Sequence, residues 1–272
     1  MNDATMAGPG FQLARVDPSS TPGFQGDKAA GQATLKAASG ELAELQEKLF
    51  ASSRFGDERS VLLVLQAMDT AGKGGIVDHV LGGTNPQGVK AFAFKAPTDE
   101  EKEHDFLWRI RKQVPPAGYI GVWDRSHYED VLIHRVRGFS SPEVIEERYG
   151  LINDFERELQ ANGTTIVKVM LHISKAEQKA RLQARLDDPT KHWKYNPGDL
   201  DERDKWDDYQ AAYQVAIERT GDVPWHVVPA DKKWFARLAV QRLLIDALRS
   251  LDLAWPAADY DVAAEKRRLA AS

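Results

Sequence analysis

The chain has 272 residues, 42% of them hydrophobic, enough for one α/β domain with a full core. Its formal net charge of −5 excludes a whole-chain basic footprint for nucleic acid, so any grip on phosphate has to be local. The absence of cysteine excludes disulfides, thiolate metal sites and a cysteine nucleophile, and fits a reducing, cytoplasmic setting; no apolar run is long enough to span a bilayer, and the opening MNDATMAGPGFQ lacks the basic start and apolar core of a signal peptide.

Residues 1–33 are rich in Gly, Pro, Ser, Thr and Ala and read as an extended or flexible arm of the kind that can wrap a neighbouring subunit. The remainder, 34–272, reads as a single domain. Leu42, Leu45 and Leu49 sit at helical spacing and predict a helix over 35–50. From there strands and helices alternate. Strands are expected over 61–66, 89–94, 119–123, 165–171 and 225–228. Helices are expected over 73–81, 98–113, 142–161, 174–186, 200–219 and 234–251. Two of them open with a capping box, Thr98 with Glu101 and Ser174 with Glu177. This alternation implies a five-stranded parallel sheet with helices on both faces, a three-layer α/β/α domain. In such sheets ligands bind beyond the carboxyl ends of the strands, so chemistry-bearing residues should follow the strands.

They do. The first strand stops at a loop carrying Asp69, Ala71, Gly72, Lys73, Gly74 and Gly75. One lysine among glycines at a strand-to-helix turn grips polyphosphate: amides cradle the oxygens and the ammonium supplies a point charge. The loop is not a standard Walker A, which reads G-x-x-x-x-G-K-[ST]. Ala67 stands where the first Gly would be and Gly74 where the Ser or Thr would be. The hydroxyl ligand for Mg²⁺ is therefore missing, and Asp69 offers a carboxylate in its place.

The third strand ends at Asp124 and Arg125, where a Walker B carboxylate would hold Mg²⁺. Asp69 and Asp124 are thus expected at neighbouring strand ends, sharing metal. Arg125 is suited to neutralising charge on a transferring phosphoryl group. A helix N-cap for Asp124 and an i,i+4 ion pair with Glu129 for Arg125 are the plainer alternatives. Lys95, after the second strand, suits a second phosphate-bearing substrate or is simply a solvated lysine. After the fourth strand comes a basic segment with Arg181, Arg185, Lys191 and Lys194. It reads as a closing lid over about 174–196 that supplies arginines to phosphate, with a solvated charged helix as the alternative. His127 and His134 lack metal-ligand spacing and read as structural. The tryptophans form no stacking ladder for nucleic acid.

Together these segments resemble the polyphosphate kinase 2 family. The matching elements are AMDTAGKGG (67–75), NPQGV (85–89), FKAPT (94–98), DFLWR (105–109), DRSHYEDVL (124–132) and KHWKYNPGDLDER (191–203), and the likeness runs from about residue 35 to 250. The resemblance implies a P-loop kinase fold of the thymidylate-kinase type with a helical lid. It implies phosphoryl transfer between inorganic polyphosphate and nucleoside mono- or diphosphates, AMP or ADP and by extension GMP or GDP. It implies Mg²⁺ or Mn²⁺ as cofactor. Carried over, Asp69 and Asp124 would bind metal, and Lys73 and the loop amides the phosphates around the transfer point. Arg125 would stabilise the transferred group. Arg181, Arg185, Lys191 and Lys194 would line the polyphosphate path. Glu129, Asp130 and Arg135 would stand on the nucleotide side. Glu129 and Asp130 match the class III branch that uses AMP as well as ADP, whereas Asp124 departs from the Asn common there. A homo-oligomer, dimer or tetramer, is expected, with no nucleic-acid or membrane partner.

Two other readings compete. An ATP-dependent nucleotide kinase keeps the fold and changes the donor; the missing Walker A hydroxyl and Asp69 in the loop speak against it. A non-catalytic binding regulator predicts loss of Asp69, Lys73 or Asp124, and all three are present.

Overall fold

Parallel strands buried on both faces read as near-continuous apolar runs, and that signal places the sheet. In the computed structural model, which describes residues 2–272, five strands form one all-parallel sheet. They are β1 (Ser60–Ala67), β2 (Val89–Ala93), β3 (Ile120–Asp124), β4 (Thr164–His172) and β5 (Trp225–Pro229), in the order β2-β3-β1-β4-β5. Each strand starts and ends within one residue of its expected position. The central strand β1, SVLLVLQA, is buried at every position. Its end aligns with that of β3, Leu65 lying opposite Asp124, so the loops after both strands open at the same edge.

The helices depart from expectation where local polar chemistry intervenes. In place of one helix over 35–50 there are two, Lys28–Ala37 and Ser39–Ser53. The first is N-capped by the Asp27 carboxylate on the Ala30 N–H, so it begins inside the 1–33 segment. Gly31 lies so close to Trp234 that a Cβ there would come within 2.3 Å of the indole. Earlier still, Leu13 is buried, its N–H donates to the Gln214 side-chain Oε1, and the Pro18 carbonyl accepts from the Asp231 N–H. The segment expected as an extended or flexible arm is therefore pinned along the domain.

The helix expected over 98–113 is broken. Its capping box forms, but the helix runs only Asp99–Lys102, and a second short turn, Trp108–Arg111, follows. Between them the Asp105 carboxylate accepts from the Leu107 N–H, a local turn bond that competes with helix. The helix after the loop is a single turn, Lys73–Ile76, continuing as a π-helical turn Val77–Leu81. The helix expected over 200–219 is divided into Gly198–Asp204 and Trp206–Arg219. Pro142–Ala161, Lys175–Leu186 and Lys233–Arg249 stand close to where the periodicity puts them. A further helix, Val262–Ala270, has no counterpart among the expected elements; the Asp261 carboxylate caps it.

One strand position breaks the apolar rule. Lys168, in the middle of β4, is fully buried. Its Nζ donates to Glu156 Oε2 at 2.7 Å, to the Tyr128 hydroxyl at 2.9 Å and to the Thr220 carbonyl at 2.7 Å, which uses all three ammonium protons. The Tyr128 hydroxyl donates to Glu156 Oε1 at 2.7 Å, and the Trp225 indole N–H to Thr220 Oγ1 at 3.0 Å. Burial works to raise the Glu156 carboxyl, but the adjacent ammonium overrides it and holds the group below its ordinary value. This cluster ties the Pro142–Ala161 helix to β4 and to the turn after β3. Among the described residues no helix is long and apolar enough to cross a membrane.

Candidate active site

The loop after β1 turns through two left-handed residues, Thr70 (φ 64°) and Gly72 (φ 112°). Glycine adopts this region freely; threonine, being β-branched, does so only under constraint. Lys73 opens the helical turn that follows, and its ammonium is almost wholly buried, 3.8 Å from Asp124 Oδ1 and 3.4 Å from the Ala67 carbonyl. At the end of β3 the backbone of Arg125 is also left-handed (φ 64°), with its N–H donating to the Leu65 carbonyl of β1. That twist sends the guanidinium back to Asp69, Nη2 to Oδ1 2.5 Å. Two crossed pairs thus face each other at the sheet edge: the loop lysine with the β3 carboxylate, and the β3 arginine with the loop carboxylate.

Glu129 adds to this cluster. Its charge, followed by those of Asp69 and Asp124, holds the Arg125 guanidinium above its ordinary value against the opposing effect of burial. Burial pushes Glu129 itself up, against the pull of Arg125 and Lys73. The helix N-cap alternative for Asp124 is not realised: Ser126 caps the turn that follows, and the Asp124 carbonyl accepts from the Phe94 N–H of the neighbouring segment.

Three openings surround the pairs. The first is basic. It is lined by Gly72 and Gly75 of the loop together with Arg181, Arg185, Lys191, Lys233 and Arg237. Lys233 and Arg237 are both pushed down, first by burial, with Arg181 adding like charge to each. This crowding of cations is what an anion would relieve. The second opening, about 360 Å³, is mostly apolar and has Arg125 on its wall. Phe94, Lys95, Pro97, Phe139, Glu129 and Asp130 line it. Burial pushes the Asp130 carboxyl up to about 6, and burial with Arg148 and Arg109 pushes His134 down to about 4. The third, over Asp69 and Glu129, is closed by Asp199, Glu202 and Tyr209. Asp199 is raised to about 6 by burial and then by Asp69.

The structure therefore brings Asp69, Lys73, Asp124, Arg125 and Glu129 together, with Arg185 and Lys191 on the basic side. Lys95 lines the mostly apolar opening, with Lys102, Arg109, Glu129 and Asp130, and not the basic one beside Gly72 and Gly75. Lys194 lies outside these openings with its ammonium over the exposed Trp193 ring. Arg135 reaches the Tyr149 hydroxyl at 3.4 Å and lines none of them. Arg181 is spent on the protein itself: Nε donates to Glu177, Nη1 to the carbonyls of Thr70 and Ala71, and Nη2 to those of Ala230 and Asp231. Lys233 and Arg237 were missed by the sequence reading. They follow the last strand at i,i+4 on one helix, and the strand-end rule extended to β5 would have found them.

The carboxylates suit a metal that arrives with phosphate. Among the described residues no group of three or more His, Cys, Asp or Glu is arranged to hold a metal ion by itself. Mg²⁺ takes one or two protein carboxylates and completes its shell with water and phosphate oxygens, so Asp69 and Asp124 are a fitting donor set.

Known proteins resemble this chain over most of its length. The model of the family described as polyphosphate kinase 2 (PPK2) matches residues 25–254. The AMP/ADP-polyphosphate phosphotransferase of Meiothermus ruber is 45% identical over 248 residues, 90% of this chain and 91% of that protein. The ADP-polyphosphate phosphotransferase of Rhodopseudomonas palustris is 45% identical over 233 residues, 79% of this chain and 78% of that protein. The crystal structure of polyphosphate kinase 2 from Arthrobacter aurescens TC1 superposes with a TM-score of 0.96 at 65% identity, covering 98% of this chain and 95% of that one.

Proposed function

The chain belongs to the polyphosphate kinase 2 family, and we propose that it transfers phosphoryl groups between inorganic polyphosphate and nucleotides, with AMP and ADP as acceptors. The observation that carries this reading is the position of the crossed pairs. Lys73 pairs with Asp124 and Arg125 with Asp69; the loop that carries Lys73 lines a basic opening, and Arg125 lines a mostly apolar one that also holds Lys95, Glu129 and Asp130.

In this reading the polyphosphate chain enters along Arg185, Lys191, Lys233 and Arg237, with its terminal unit over the Gly72–Gly75 amides. The nucleotide occupies the opening between Phe94 and Phe139, beside Lys95, Glu129 and Asp130. A terminal phosphate oxygen of the nucleotide attacks the end phosphorus of polyphosphate in line. The bond to the next phosphate breaks, the nucleotide gains one phosphate, and the polymer leaves one unit shorter with the electron pair on its new terminal oxygen. No covalent enzyme intermediate is needed; positioning and charge neutralisation do most of the work. Lys73 and Arg125 exchange carboxylate partners for phosphate oxygens as charge gathers on the transferring group. Asp69 and Asp124, so released, would hold the divalent cation, Mg²⁺ or Mn²⁺, which when bound neutralises phosphate charge.

The deciding experiment incubates the protein with Mg²⁺ and long-chain polyphosphate plus AMP, ADP, GMP or GDP separately, and resolves the products. Phosphorylation of AMP and ADP is expected. Transfer from ATP to AMP with none from polyphosphate would overturn the reading.

A further inference from the structure

Arg181 is the one strongly basic residue of the Lys175–Leu186 helix with nothing left to offer a ligand. It is buried, and its guanidinium protons are all directed at protein acceptors. One turn earlier, the fully buried Gln178 donates to the Asp69 carbonyl at 3.2 Å and accepts from Arg203 at 3.0 Å. Two side chains on one helix face therefore hold three successive carbonyls of the phosphate loop, those of Asp69, Thr70 and Ala71. The helix itself is fixed to the end of β5: Ser174, its N-cap, donates its N–H to the Asp231 carboxylate at 2.8 Å, and Arg181 bonds the Ala230 and Asp231 carbonyls.

The middle of the held segment is strained. Thr70 has φ 64°, and its hydroxyl is buried with no hydrogen-bond partner among the described residues, so its own side chain does nothing to favour that backbone. Released, it would relax toward negative φ, and the peptide planes leading into Gly72 and Lys73 would turn with it.

We propose that Arg181, seconded by Gln178, is a positioning residue that locks the strained phosphate loop in its binding shape, and that it is not a phosphate ligand. The first two turns of the basic helix are on this account a fixed buttress. Phosphate contact belongs to Arg185 and Lys191 further along, and to Lys233 and Arg237 opposite. The inference rests on the polyphosphate reading only for its ligand.

Direct phosphate contact and positioning leave different signatures. A residue that neutralises a phosphate contributes about one unit to the dependence of log affinity on log salt, and one that shapes the loop contributes none. Equilibrium binding of long-chain polyphosphate is measured across salt concentrations for the wild type, R181Q and R185Q, together with kcat and KM. Backbone amide exchange of residues 69–75 is followed without ligand. For R181Q the expected result is an unchanged salt slope, faster loop exchange and a kcat lower by about 100-fold, the scale of a 1 Å misplacement. R185Q is expected to lose about one unit of slope with loop exchange unchanged. Adding Thr70→Gly, which adopts the left-handed backbone without strain, is expected to restore at least about tenfold of the R181Q kcat. Should R181Q not fold, Q178A removes only the bond to Asp69 and is expected to show the same pattern, reduced to several-fold.

A salt slope lowered in R181Q as in R185Q, or loop exchange unchanged in R181Q and Q178A, overturns the proposal. If the wild type binds no polyphosphate, the functional reading falls, and the exchange measurement still decides the role of Arg181.

Discussion

Lys168, in the middle of β4, and Lys73, in the turn beyond the end of β1, each stand beside a carboxylate, in different surroundings. Lys168 is sealed between β4 and the Pro142–Ala161 helix, with every ammonium proton placed at 2.7–2.9 Å and its partner Glu156 equally buried. Lys73 is 3.8 Å from an Asp124 that is about a third exposed, too far for a good hydrogen bond. Arg125 and Asp69 are likewise partly open to solvent. The sealed pair has no second partner to turn to, so its charges serve the folded structure. The open pairs lie where, on the proposed reading, an incoming phosphate takes the cation and a metal ion the carboxylate. On that reading, what separates the structural lysine from the functional one is how many of its protons are already assigned.

The comparison is broken most directly by Lys168→Met. Removing one partner of a buried pair leaves Glu156 uncompensated, which typically costs about 3–5 kcal/mol. Urea unfolding should show that loss, while kcat of the folded enzyme changes by less than about tenfold. Lys73→Ala should do the reverse: kcat falls by about 2.7–4 kcal/mol in transition-state stabilisation, and unfolding stability falls by less than in Lys168→Met. A Lys73 variant that is chiefly unstable, or a Lys168 variant that is stable and dead, would erase the distinction.

Asp130 is an intermediate case, a carboxyl on the wall of the apolar opening pushed up to about 6 by burial. Between about pH 4 and 6 the native state binds the proton that the unfolded chain has released, so folding stability falls as pH rises through that window and stays lower above it. Asp130→Asn removes the decline. The variant should gain up to about 2–3 kcal/mol over the wild type at pH 7 relative to pH 4, read from thermal unfolding at both pH values. Smaller again are Asp69→Asn and Asp124→Asn. Each should raise the Mg²⁺ concentration needed for half-maximal activity by at least about tenfold, with recovery in excess Mg²⁺. Unchanged metal dependence in both would show that neither carboxylate is a ligand.

The sheet was legible because each strand is a run of buried apolar residues ending at a polar break. The Asp69–Gly75 and Asp124–Asp130 clusters were legible because ligand sites follow strand ends. What was not legible arises from single long-range contacts. Nothing in the periodicity of the Lys175–Leu186 helix says that Arg181 turns inward to loop carbonyls while Arg185, one turn on, is only partly buried and lines the basic opening; the position of β5 decides it. Lys168 reads in sequence as an interruption of an apolar strand, and its partners Glu156, Tyr128 and Thr220 come from three other elements. The break after Lys102 turns on one Asp105 side chain choosing a turn bond over helix. The pinning of the N-terminal segment depends on Leu13 meeting Gln214, two hundred residues away in the chain.

The left-handed backbone at Arg125 has a consequence for anyone selecting variants of this protein for robustness. At φ 64° an arginine is held about 1–2 kcal/mol above the conformation it would choose, and glycine would sit there without strain. A library ranked on thermal survival alone would enrich Gly at 125 and discard the guanidinium that faces Asp69. Ranking the same library on turnover would bring the arginine back, at the expense of melting temperature. If Arg125 acts as proposed, it marks a point where durability and catalysis ask for different amino acids, and where the chain carries the less comfortable one.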